Sequence, residues 1–149
     1  PTVETSDPDV LEAIAFSTGI GGPAGKVELT DLTIKLDGQL WFDQPSMLAV
    51  VANGTTFGHG MKIAPRASID DGLFDVVVLS TTSRLHILRA LWHVYNGTHL
   101  DQRGVLYKQA KHVDITCQDG ELPLDIDGEY AAGKHLTFEV RPQFLSMLL

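Results

Sequence analysis

The chain has little of what would place it in several large classes of protein. Its 149 residues contain one cysteine, Cys117, so no internal disulfide can form and a reducing, cytoplasmic setting is expected. Its longest uninterrupted apolar run, Met47 to Ala52, falls far short of the ~20 residues that span a bilayer. The amino terminus, Pro-Thr-Val-Glu, shows no basic segment followed by an apolar one, so no signal peptide is expected. Cations are scarce: 11 Lys and Arg stand against 19 Asp and Glu, a net charge of −8, which argues against nucleic acid as a partner. The same balance argues against strong docking to an anionic bilayer. No basic or apolar patch stands out in the sequence, so peripheral contact at the inner membrane face is the most that is expected.

Aromatic residues make up 7% of the chain, and Trp41 and Trp92 fall in a predicted strand and a predicted helix, so no stacked sugar platform is evident. The six histidines show no metal-ligand spacing with cysteine. No Gly-x-Ser-x-Gly elbow occurs. The glycine stretches at 19–22 and 58–60 lack the strand–loop–helix context and the lysine of phosphate loops.

What is present is a succession of short apolar runs separated by glycine turns. Asp7-Pro8 followed by Asp9 to Phe16 has an N-cap residue, a proline at the first helical position and apolar residues at helical spacing, which predicts a short helix. It stops at Gly19-Ile20-Gly21-Gly22-Pro23. From Lys26 the period becomes two, with Asp37-Gly38 as a hairpin turn before Leu40-Trp41-Phe42. Met47–Ala52 and Phe74–Leu79 read as strands buried on both faces. Between Ser83 and Tyr95 the apolar residues Leu85, Ile87, Leu88, Leu91, Trp92 and Tyr95 recur at three and four, which predicts the most secure helix of the chain. That helix is capped by Ser83 and ended by Asn96-Gly97. Strands follow around Val113–Cys117, Leu122–Ile126 and Leu136–Val140. The pattern predicts one domain over 1–149, mainly β: an antiparallel β-sandwich with one substantial helix at about 83–96.

Two acidic, glycine-punctuated segments carry the chemistry. In Leu124-Asp125-Ile126-Asp127-Gly128-Glu129 the carboxylates are spaced by two, so an extended backbone would send all three to one side. Charges ~5 Å apart repel by about 1 kcal/mol in water, so such a cluster calls for a cation, a proton or full solvation. In Ser68-Ile69-Asp70-Asp71-Gly72-Leu73, Asp71 with the carbonyls of Ser68 and Leu73 would make a partial shell for magnesium. Each segment also has a plainer reading. Asp127-Gly128 can be only a hairpin turn, and Asp71 can be an aspartate capping its own backbone. On the residues alone, a non-catalytic cation- or ligand-binding β-sandwich module stays open beside an enzyme part.

Taken in order, a larger set of landmarks resembles the carboxyl-terminal domain of the diacylglycerol kinase and sphingosine kinase family of lipid kinases. They are Asn53-Gly54, the loop with Gly58 and Gly60, Ala64-Pro65-Arg66-Ala67, Asp71-Gly72-Leu73-Phe74-Asp75, Gly97-Thr98-His99, Asp127-Gly128-Glu129 and Val140-Arg141-Pro142. The resemblance runs from about Val27 to the carboxyl terminus. It implies a two-domain ATP-dependent kinase that phosphorylates a lipid alcohol, diacylglycerol-like or sphingoid. ATP would be bound mainly by an amino-terminal α/β domain, which these 149 residues do not show, so the chain alone is expected to be inactive. By the same resemblance Glu129 is the base that activates the lipid hydroxyl, and Asp127 supports it or the nucleotide-bound Mg2+. Ser68, Asp71 and Leu73 correspond to a magnesium site. A homodimer is compatible with the resemblance. The related NAD kinase group, whose second domain is also strand-rich, fits the Asp127-Gly128-Glu129 triplet less well.

Overall fold

Short strands with a glycine turn every few residues have one economical way to bury their apolar faces, which is to pair antiparallel and stack as two sheets. A computed structural model of the chain describes residues 13–17, 29–57, 60–80, 83–118, 120–126 and 129–140. In chain order these form β1 (Ala13–Ser17), β2 (Thr30–Leu36), β3 (Gln39–Ser46), β4 (Leu48–Ala52), β5 (Phe74–Leu79), α1 (Arg84–Val94), a 3-10 turn at His99–Asp101, β6 (Val105–Ala110), β7 (His112–Cys117), β8 (Leu122–Ile126), β9 (Glu129–Gly133) and β10 (His135–Glu139). A six-stranded sheet ordered β6-β5-β4-β1-β8-β9 stacks on a four-stranded sheet ordered β10-β7-β2-β3, with antiparallel pairing throughout. The expected β-sandwich with a single α-helix is therefore what the described residues form.

The main core lies between the sheets. Ile34, Val113, Ile115, Leu136 and Phe138 from the smaller sheet meet Val51, Val76, Val78, Leu122 and Leu124 from the larger one, and Cys117 is buried among them. The outer face of the six-stranded sheet is covered as well, which explains why β5 is buried at every position. There Val50, Ala52 and Val77 pack under Phe57, Ile63, Ala64 and Ala67 of the long β4–β5 connection. Asp37 and Gly38 both take positive φ (50° and 79°), the conformation that a two-residue hairpin demands, and this is why an Asp-Gly pair marks the β2–β3 turn.

Three expectations change. The helix predicted over 9–16 is not formed in its described part: Ala13–Ser17 is β1, while residues 7–12, like the loop at 19–23, lie outside the described residues. A run that is apolar at every position from Ala13 to Phe16 suits a central strand equally well. Pairing with β4 on one side and β8 on the other satisfies its backbone groups in both directions. Second, β6 and β9 escaped the sequence reading. Third, α1 forms where expected, but of its six apolar landmarks only Ile87 is buried. Ile87 and Ala90 seat the helix on Met47 and Leu79, and Val94 is buried at its end. Ser83 holds the N-cap position without a side-chain capping bond. At the other end Gly97, at φ 70°, closes a Schellman motif: Thr98 N–H reaches the His93 carbonyl at 3.1 Å and Gly97 N–H the Val94 carbonyl at 3.2 Å.

Candidate functional site

Strand register places the two acidic segments at one end of the six-stranded sheet. Val76 of β5 pairs with Val51 of β4, Val51 with Ile14 of β1, Ile14 with Ile126 of β8, and Ile126 with Glu129 of β9. Asp71 to Asp75 run into one end of that row and Glu129 closes the other. Four interstrand steps of about 4.8 Å separate β5 from β9 by roughly 19 Å. One ion cannot be shared between them.

The β8–β9 hairpin revises the geometry expected of Asp125, Asp127 and Glu129. They do not follow one another along a single strand, because the chain reverses between Ile126 and Glu129. Asp125 pairs with Tyr130 and Ile126 with Glu129, so Asp125 and Glu129 hold register positions of opposite parity. Asp127 and Gly128 themselves lie outside the described residues, and Glu129 is described as the first residue of β9.

The second segment is built around a turn. The Asp71 N–H donates to the Ser68 carbonyl at 3.4 Å, Gly72 takes φ 69°, and Leu73 N–H donates to Asp71 Oδ1 at 2.9 Å. Ser68 donates its hydroxyl proton to Asp70 Oδ1. The self-capping arrangement weighed for Asp71 is thus present, and it fixes the carboxylate relative to the two carbonyls. Such a donor set is all oxygen and suits a hard cation that retains several waters. Among the described residues no three His, Cys, Asp or Glu side chains cluster as metal ligands.

Behind this turn is a network that the sequence did not announce. Asp75, the second residue of β5, is fully buried (0% exposed) on the outer face of the sheet. It faces Gln109 of β6 across the pair and Tyr107 on the diagonal. Tyr107 Oη donates to Asp75 Oδ1 at 2.6 Å, and Gln109 Nε2 donates to Asp75 Oδ2 at 3.2 Å and, more weakly, to Asp71 Oδ2 at 3.4 Å. Gln109 therefore ties the buried carboxylate to the exposed one. Burial, followed by the hydrogen bond to Asp75 and its charge, pushes the Tyr107 phenol well above its usual range, with Arg66 opposing. The Arg66 guanidinium lies 5.2 Å from the Tyr107 ring centroid and 3.8 Å from the Asp101 carboxylate. The only sequence hint of this network was the spacing of two between Tyr107 and Gln109, in a segment whose strand character was missed.

A buried histidine fixes the loop above. His99, 3% exposed, shares a 2.9 Å hydrogen bond between Nε2 and the Ile63 carbonyl, so Nε2 carries the proton. Its Nδ1 is buried without a partner. Burial lowers its pKa, the Ile63 bond opposes this, and His93 adds to the lowering, so the ring is neutral at pH 7.

Comparison with known proteins decides the family. The profile described as "YegS C-terminal NAD kinase beta sandwich-like domain" matches residues 25–149. The chain belongs to this family. A YegS-type domain of this length is 30% identical over 101 residues to a diacylglycerol kinase of Bacillus subtilis, spanning 68% of the chain and 33% of that protein. It is 31% identical over 123 residues to a Pseudomonas putida protein named as a probable lipid kinase, YegS-like, spanning 82% of the chain and 39% of that protein. Among solved structures, a diacylglycerol kinase of Bacillus anthracis superposes with a TM-score of 0.60 at 19% identity, covering 91% of the chain and 51% of that structure, which supports the fold. The YegS-type chain thus spans about a third of the length of the curated relatives it matches.

Proposed function

We propose that this YegS-type domain is the acceptor side of an ATP-dependent lipid kinase, transferring the γ-phosphoryl group to a lipid hydroxyl of diacylglycerol-like or sphingoid type. The observation that carries the reading is the placement of both acidic segments at one end of one sheet, in a family whose relatives are named as lipid kinases. Glu129 accepts the proton of the attacking hydroxyl, and Asp127 supports it or helps hold the nucleotide-bound magnesium. Phosphoryl transfer passes through a loose transition state, so placing the carboxylate beside the hydroxyl matters more than its basicity. Mg2+ at either position supplies neutralisation of phosphate charge or rigidity of the loop. At the Asp71 turn the protein's own donors are the Asp71 carboxylate and the carbonyls of Ser68 and Leu73. ATP is bound mainly by a nucleotide-binding domain outside these 149 residues.

The test is Glu129→Gln in the full-length parent protein, with transfer of labelled γ-phosphate to diacylglycerol in mixed micelles as the readout. Turnover should fall by about 10²–10⁴-fold, the range for loss of a general base, while ATP binding stays intact. Near-normal turnover would remove Glu129 as the base.

A further inference from the structure

The helix that seats itself with Ile87, Ala90 and Val94 turns its larger apolar residues outward. Leu85, Leu88, Trp92 and Tyr95 are 65%, 66%, 76% and 56% exposed, and Leu91 is 44% exposed. Spaced at 0, 3, 7 and 10, the first four form one stripe, opposite the seating face. Five large apolar side chains in one exposed patch are more than scattered surface residues account for.

The formal charge along the helix sequence has one sign. The chain carries −8 overall, yet no Asp or Glu occurs between Asp75 and Asp101, while Arg84 and Arg89 flank Leu85 and Leu88 in the sequence. Exposed Lys62 adjoins the carboxyl-terminal end of the helix, where its N–H donates to the Val94 carbonyl at 3.1 Å. Screening over about 10 Å at 0.1 M salt means that a surface apposed to α1 senses the cations on and beside the helix more than charges beyond that range. At 11 residues, about 16 Å long, the helix cannot span a bilayer, and among the described residues no helix can. It can lie along one.

We propose that α1 is a membrane-surface anchor, with Leu85, Leu88, Trp92 and Tyr95 entering the acyl boundary of an anionic bilayer and Arg89 and Lys62 meeting its phosphate headgroups. Leucine, tryptophan, tyrosine and arginine without acidic residues is the composition of an interfacial helix. A second copy of the chain suits the surface less well, since stacking two α1 stripes brings arginine toward arginine. This inference stands apart from the phosphoryl-transfer reading and can fail or hold without it.

The 149-residue chain is mixed with vesicles of equimolar phosphatidylcholine and phosphatidylglycerol, and binding is read by co-sedimentation and tryptophan emission. Expected are binding that weakens as salt rises and a blue shift that is absent in Trp92→Phe. Arg89→Gln should weaken binding about fivefold. Leu88→Ser with Trp92→Ser should weaken it about tenfold or more while circular dichroism is unchanged. The proposal is overturned if anionic vesicles do not bind, if phosphatidylcholine alone binds equally well, or if the double variant binds like the parent. A dimer in ultracentrifugation that the double variant dissolves would assign the face to a second copy and overturn it too.

Discussion

Replacing Tyr107 with phenylalanine removes one oxygen and leaves the ring. That oxygen is the closest donor to a carboxylate with no exposure to water: Tyr107 Oη lies 2.6 Å from Asp75 Oδ1, and the remaining donor, Gln109, stands at 3.2 Å on the other oxygen. A hydrogen bond to a charged group contributes about 1.5–3 kcal/mol, and removing one partner leaves the other desolvated and unpaired, so Tyr107→Phe should cost about 2 kcal/mol. With a urea slope of about 2 kcal/mol per molar, the unfolding midpoint should fall by about 1 M. Trp41, packed against the inter-sheet core, reports the transition by fluorescence. The cycle is completed by Asp75→Val and the double variant. In the double variant neither group is stranded and Gln109 keeps its contact with Asp71, so the two losses should fall short of additivity by about 1 kcal/mol or more. A loss below about 0.5 kcal/mol for Tyr107→Phe, or strict additivity, would refute the claim that this bond anchors the acidic turn.

Two further outcomes follow from the loop above the site. His99 is held neutral, with its pKa lowered from the ordinary 6.5 chiefly by burial, so the unfolded chain binds the proton more readily. Its contribution to stability is therefore fully present above about pH 6.5 and is lost as pH falls from there through the lowered folded value. Urea midpoints measured from neutral to mildly acidic pH should decline in the parent and decline less steeply in His99→Leu; identical slopes would contradict this. Gly97→Ala places a Cβ at φ 70° and 3.0 Å from Pro65 Cβ, a strained conformation and a close contact together. It should cost about 1–2 kcal/mol and lower Tm by roughly 2–8 °C, whereas an unchanged Tm would mean that the α1 terminus relaxes freely.

The parts of this fold that were legible in the sequence are those specified locally. Asp37-Gly38 announces its hairpin because few other residues adopt two consecutive positive φ values. Met47–Ala52 and Phe74–Leu79 announce doubly buried strands because they contain almost no polar residue that would require a wet face. What stayed hidden depends on partners distant in the chain. Residues 13–16 are apolar throughout, and only pairing with β4 and β8 makes them strand. Periodicity reveals the apolar residues of α1 but not which of them face the protein, and here Ile87 and the small Ala90 form the seat while Leu88 and Trp92 are exposed. Asp75, Tyr107 and Gln109 form a network through the β5–β6 register, with more than thirty residues of chain between the first and the other two.

The row of pairings across the larger sheet also settles how the two acidic segments can relate to each other. In the sequence they look like two copies of one device. A separation of roughly 19 Å between β5 and β9 exceeds the Debye length of about 8 Å at physiological salt, the distance beyond which solvent-exposed charges are largely screened from each other. Their environments differ as well. Asp71 is held by its own turn and by Gln109, a group engaged in fixing a loop, whereas Glu129 begins a strand immediately after the chain reverses. A carboxylate already accepting a backbone N–H within its own turn, as Asp71 does, is a poor candidate to accept a substrate proton. Giving Asp71 the proton-accepting role proposed for Glu129 would require the Leu73 N–H to lose its acceptor.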